Sequence, residues 1–214
     1  MRTSFTLAAA AMLALTAGLV TSDVQAKDEP VAKVGEKAPD FTLKTLDGKE
    51  VSLSKLLAEK KIVVIEWFNP GCPFVVKHHE RFPTMANLYK KYCKGDDAKV
   101  TWVAINSGAK GKQGHGVELN KKAKAKWKIE YPILLDESGK VGRMYGARTT
   151  PHMYVIDAEG KLRYAGAIDD VRNPRKLGEV NYVANALDAV LAGKDVEKTS
   201  TKPYGCSVKY APQN

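Results

Sequence analysis

The 214-residue sequence predicts an α/β fold built on a mixed β-sheet, and three features carry that expectation. Two apolar, β-branched runs, KIVVIEWF and KVTWVAIN, alternate with stretches of helical period, as strands joined by helices require. A late hairpin, PHMYVIDAEGKLRYAGAI, turns at Glu159-Gly160 and closes the series with antiparallel strands. An early alternating segment, GEKAPDFTLKTLDGKEVSLSKL, turns at Asp47-Gly48 and adds an N-terminal β-hairpin.

Taken in chain order, the first element is a leader. Arg2 is followed by the apolar stretch FTLAAAAMLALTAGLV and by small residues at Val24-Gln25-Ala26, the pattern of a signal peptide over residues 1–26. The run is short for a bilayer and ends in polar residues, so a retained membrane span is disfavoured. The mature chain is expected to be periplasmic or secreted. Its segments are a flexible leader at 27–33, one domain at 34–193 and a C-terminal tail at 194–214. Lys and Arg number 34 against 24 Asp and Glu; removing Arg2 and Asp23 with the leader gives 33 against 23, still +10. The surplus is spread over lysines, which points to anionic surfaces and away from nucleic acid.

KIVVIEWF suits a strand buried on both faces. From Pro73 to about Tyr92 the pattern is helical, with Phe74, Phe82, Met85, Leu88, Tyr89 and Tyr92 as a core stripe and Pro83 set to kink or split it. SGAKGKQGHG matches neither a dinucleotide nor a Walker pattern and reads as a flexible surface loop. VELNKKAKAKWKI predicts an amphipathic helix, YPILLDESG a short extended piece, GKVGRMYGA a short helix, and NYVANALDAVLAGK a last helix stopping near Gly193.

The three cysteines, Cys72, Cys93 and Cys206, are too few for a disulfide scaffold. Cys72 ends the turn WFNPGC and is followed by Pro73, the residue favoured at a first helical position. At a helix N-terminus the free N–H groups and the macrodipole favour a thiolate, and Lys77 one turn on can add to that field. Cys93 falls about 20 residues further along the helical stretch, roughly 30 Å away at 1.5 Å per residue. A disulfide needs Cα atoms about 5.5 Å apart, so Cys93 is expected to be an isolated, partly buried thiol. Cys206 sits in a tail long enough to reach back across the domain. Two states stand open for it: a pairing with Cys72, or a free or intermolecular thiol.

APDFTLKTLDGKEVSLSKL, the strand-to-Cys72 junction and TTPHMYVIDAEGKL resemble the thioredoxin-like superfamily, within it the redoxin group that includes peroxiredoxin-like proteins. The resemblance spans about residues 34–193. It implies a thioredoxin-like fold, a central mixed sheet flanked by helices with the N-terminal hairpin as an extension. It also implies that Thr150-Pro151 is the cis-proline loop that faces the cysteine and pairs with an extended substrate strand. Glu66, six residues before Cys72, falls where thioredoxins hold a buried carboxylate; it is either such a proton shuttle or an edge residue in contact with water. Of the histidines, His78 and His79 are expected on the surface, and His152 near Cys72.

Two departures bound the activity. Val75 stands where Cys-x-x-Cys proteins keep their resolving cysteine. Asn69 and Ile65 replace the Ser/Thr and Pro of the peroxiredoxin pattern P-x-x-x-[ST]-x-x-C, which puts peroxidase activity in doubt. The resulting expectation is an exported thiol oxidoreductase. Its catalytic residues are Cys72, Cys206 and Glu66, and its substrate-binding residues are Thr150, Pro151 and Pro73. Its substrates are protein thiols and disulfides or a small oxidant, it works with a reducing partner, and it needs no bound cofactor. The alternatives are a binding protein holding Cu(I) through Cys72 and His152, or a fold kept for partner docking.

Overall fold

A computed structural model of the chain describes Met1 and residues 31–212. The predicted signal peptide and residues 27–30 lie outside the described residues. A seven-stranded sheet runs in the order β2-β1-β5-β4-β3-β7-β8. It contains β1 (Thr42–Thr45), β2 (Glu50–Ser52), β3 (Ile62–Trp67), β4 (Val100–Asn106), β5 (Ile133–Leu135), β7 (Met153–Ile156) and β8 (Leu162–Gly166). β3, β4 and β5 are parallel, whereas β1, β2, β7 and β8 join antiparallel, so the sheet is mixed as expected. The N-terminal hairpin adds to this same sheet through β1 against β5.

Every residue of β3 is buried. Alternation sends Val63, Ile65 and Trp67 to one face and Ile62, Val64 and Glu66 to the other. On the first face lie α1 (Leu53–Ala58) and α5 (Lys140–Met144); on the second lie α3 (Thr84–Tyr92), α4 (Val117–Lys126) and α6 (Tyr182–Leu191). Each fully buried Val or Ile of β3 contributes about 1.5–3 kcal/mol. α1 and α6 start where the sequence supplies caps: Ser52 accepts from the Lys55 N–H and Asn181 from the Ala184 N–H.

The helical stretch after Cys72 is broken into three parts. α2 (Pro73–Val76) runs directly into a π-helical turn, Lys77–Arg81. Phe82 is then extended (φ −124°, ψ 115°), the conformation proline imposes on its predecessor, and α3 begins after Pro83. Pro83 thus splits the helix, as the sequence predicts. The widened turn is what the sequence hid, because it turns the consecutive side chains of Lys77, His78 and His79 all inward.

The glycine-rich loop, expected to be flexible, and the tail are both anchored. In the glycine-rich loop, Ser107 accepts from Trp67 Nε1 (3.0 Å) and donates to Asp136 (2.7 Å), and Asn106 donates to the Gly114 carbonyl (2.8 Å). Gly114 has φ +87°, and a Cβ there would fall 2.2 Å from Asn69 Oδ1, so only glycine lets this loop close on the cysteine turn. The tail wraps the domain. Ser200 bridges to Ala165, β9 (Cys206–Ser207) pairs antiparallel with β6 (Thr149–Thr150), and the Ala109 N–H donates to Lys209 O (2.8 Å).

Candidate functional site

Cys72 is the N-cap of α2, with extended backbone (φ −87°, ψ 123°) and Pro73 in the first turn. The turn before it is held by Asn69, whose Oδ1 accepts from the Gly71 N–H (2.9 Å) while its Nδ2 donates to Gln113 O (3.2 Å). Asn69, at the place of the peroxiredoxin hydroxyl, is therefore occupied in pinning the loop. The Thr150–Pro151 peptide bond is cis. Cys72 is fully buried, and its Sγ donates to the Thr150 carbonyl oxygen at 2.9 Å.

The tail completes this arrangement. Cys206 pairs in register with Thr150, whose carbonyl accepts from Cys72, so the two thiols are brought to the same site. Gly205, at φ +145°, permits the approach: a Cβ there would lie 2.0 Å from Thr150 O. Burial first, then the neighbouring Cys72 thiol, push the Cys206 thiol up to about 12. The backbone edge of Thr150, expected to await a substrate strand, is thus taken by the protein's own tail. Cys93 stands apart at the end of α3, partly buried, and burial pushes its thiol up to about 12.

Glu66 is fully buried, so it is not an edge residue in contact with water. Its Oε1 is 2.8 Å from His79 Nε2, and its Oε2 accepts from the Tyr131 hydroxyl at 2.9 Å. His79 stacks on Trp127 (5.1 Å between centroids), so the expectation of a surface residue is corrected. His78 is corrected likewise. It is fully buried, with Nε2 2.9 Å from the Tyr204 hydroxyl and Nδ1 3.1 Å from Thr84 Oγ1. Burial, then the charge of Lys77, lowers its pKa to about 3. Lys77 does not serve the Cys72 field: its ammonium is fully buried and ion-paired with Asp169 at 2.9 Å.

His152 follows Pro151 but turns toward Tyr154, with ring centroids 4.5 Å apart and Nδ1 3.0 Å from the Tyr154 hydroxyl. Burial and the charge of Arg148 lower its pKa to about 3. Among the described residues, no group of three or more His, Cys, Asp and Glu side chains is placed to hold a metal ion. The residues that sequence reasoning missed are Asp169 and Tyr204. No motif marks Asp169, and only its closeness to Cys206 in PYGC singles out Tyr204.

One buried hydroxyl at the site, Thr150 Oγ1, has no hydrogen-bond partner among the described residues. Thr150→Val keeps the shape and removes the orphan. It is expected to leave stability unchanged or to raise it by about 1 kcal/mol, because an unsatisfied buried hydroxyl costs about 1–3 kcal/mol. Urea denaturation checks this, and a loss above 1 kcal/mol would contradict it.

A cysteine opening a helix at the end of a central strand, facing a cis-proline loop on a mixed sheet, is the architecture of thioredoxin-fold proteins. The Redoxin family profile matches residues 33–187, and the chain belongs to the redoxin family. It is 32% identical over 146 residues to the chloroplastic peroxiredoxin Q of Suaeda salsa, covering 62% of this chain and 60% of that one. It is 29% identical over 128 residues to the thiol-disulfide oxidoreductase ResA of Bacillus subtilis, covering 60% of this chain and 64% of ResA. The chain therefore spans a little under two thirds of each of these two relatives. The crystal structure of a hypothetical protein from Sinorhizobium meliloti superposes with a TM-score of 0.73 at 29% identity, over 85% of this chain and 96% of that one.

Proposed function

We propose that the chain is an exported thiol–disulfide oxidoreductase whose working pair is Cys72 and Cys206. The observation that carries this reading is the register of β6 against β9, which lays Cys206 opposite Thr150, whose carbonyl holds the Cys72 thiol at 2.9 Å. With Val75 unable to resolve, the tail supplies the second sulfur. Cys72, as thiolate, attacks a substrate disulfide and releases one substrate thiolate. Cys206 then gives up its proton and attacks Cys72 Sγ, which releases the second thiolate and leaves a Cys72–Cys206 disulfide. A reducing partner restores both thiols.

Access to the buried Cys72 requires the tail strand to leave Thr150. The freed edge, with Pro151 beside it and Pro73 across the turn, is the place for an extended substrate. Glu66, buried and joined to His79, supplies a proton route. Export is supported by the leader pattern at 1–26. Disulfide exchange is favoured over peroxide reduction because Asn69, where the peroxidase pattern needs a hydroxyl, is tied to Gly71 and Gln113.

Peptide mapping of the oxidised protein under non-reducing conditions tests the pairing. A 72–206 linkage is the expected result. A protein that oxidises only to intermolecular dimers through Cys206 would refute it.

A further inference from the structure

Tyr204 lies two residues before Cys206, and three other buried polar side chains converge on its hydroxyl. Lys77 Nζ donates to it at 3.1 Å, His78 Nε2 lies 2.9 Å away, and the hydroxyl donates to Asp169 Oδ1. Lys77 and His78 are 0% exposed, Asp169 2% and Tyr204 6%. A hydroxyl has one proton and two lone pairs, enough to bond all three neighbours at once. Asp169 further accepts from the Gly178 N–H at 2.9 Å, and Lys77 also donates to Val171 O at 2.7 Å. The cluster thus ties together three parts of the chain: the helix opened by Cys72, the loop after β8, and the tail that carries Cys206. A buried ion pair stabilises little by itself, but breaking its hydrogen bonds is strongly unfavourable. Its residues are consequently well suited to fixing a geometry.

We propose that Tyr204 is a positioning residue, its hydroxyl gripped by Lys77, His78 and Asp169 so that the tail is latched across Cys72 and Cys206 is held against it. This inference rests on the two-cysteine reading above. It adds that one hydroxyl sets both how readily Cys72 is reached and how fast Cys206 resolves.

The chromogenic disulfide of thionitrobenzoate separates the two effects. Attack by Cys72 breaks the probe's S–S bond, releases one coloured thiolate and leaves a mixed disulfide. Deprotonated Cys206 then attacks Cys72 Sγ and releases the second thiolate. The protein pair loses two electrons and the probe gains two. The experiment uses the full mature chain carrying Cys93→Ala, with Cys72→Ser and Cys206→Ser versions assigning the phases. Tyr204→Phe keeps the ring against Phe74 (5.7 Å) and Lys77 over its face (5.1 Å) but removes the hydroxyl. It is expected to speed the first release about tenfold and slow the second about tenfold, the factor that 1.4 kcal/mol represents.

Tyr92→Phe, which deletes a comparable hydroxyl bond to Asp188 outside the Tyr204 cluster, is expected to change neither phase. His78→Gln asks the same question should Tyr204→Phe fail to fold, which near-ultraviolet circular dichroism reports. Opposite shifts of the two phases support the latch. Unchanged phases in a folded variant, with the second release still dependent on Cys206, overturn it alone. If the unmutated chain shows no second release that depends on Cys206, the two-cysteine reading falls and the latch falls with it.

Discussion

Cys72→Ser is expected to abolish thiol–disulfide exchange, by about a thousandfold or more, because a hydroxyl at neutral pH offers almost no nucleophilic anion. Cys206→Ser is expected to behave differently. Cys72 still attacks, but nothing within the motif can resolve, since Val75 is fully buried and carries no sulfur. The mixed disulfide with substrate should accumulate in stoichiometric amount, visible by mass spectrometry and reversed by added thiol. The two variants together define the roles. Loss of exchange in Cys72→Ser without trapping, and trapping in Cys206→Ser, is the expected pattern. Full turnover in Cys72→Ser would end the proposal.

The second large effect is on stability. His78 and His152 are buried neutral and titrate near pH 3 in the folded protein, against 6.5 for an exposed imidazole. The unfolded chain therefore binds two more protons than the folded one between those values. Their contribution is fully present above pH 6.5 and is lost as the pH falls toward 3. Each histidine removes about 1.4 kcal/mol per pH unit, so acidification from pH 6 to pH 4 is expected to cost roughly 5 kcal/mol, a large share of a typical domain's stability. Asp169, whose pKa is lowered because bonds from Tyr204 and Lys77 outweigh its burial, adds a loss only at still lower pH. Urea titrations at pH 7, 6, 5 and 4 measure the slope. His152→Gln should roughly halve it, and a flat profile would show that the two imidazoles do not titrate as their burial requires.

Much of the architecture was legible because it is written in local pattern. The β3 run is apolar at every position but Glu66, Asp47-Gly48 and Glu159-Gly160 carry turn chemistry, and Pro83 cannot continue a helix. The candidate site was legible in part for the same reason. Cys72 before Pro73, and Thr150-Pro151, are neighbours in sequence whose placement follows from the strand and turn that hold them. The KHHE stretch was misread for a physical reason. Polar residues in succession are ordinarily solvated, and nothing local announces that a π-helical turn will direct Lys77, His78 and His79 inward. Their partners are Asp169, Tyr204 and Glu66, and pairings with Asp169 and Tyr204 span 92 and 126 residues.

The sequence by itself determined the α/β class, the strand that presents Cys72, the splitting of its helix at Pro83 and the absence of a resolving sulfur at Val75. Only the tertiary structure decided where the tail goes. The approach of Cys206 to Thr150 depends on Gly205 lying against a carbonyl, on a two-residue ladder and on a buried hydroxyl cluster assembled from three separate segments. Each of these is a non-local contact whose energy exists only once the sheet has brought its parts together. No period, cap or turn signal in the chain can encode it.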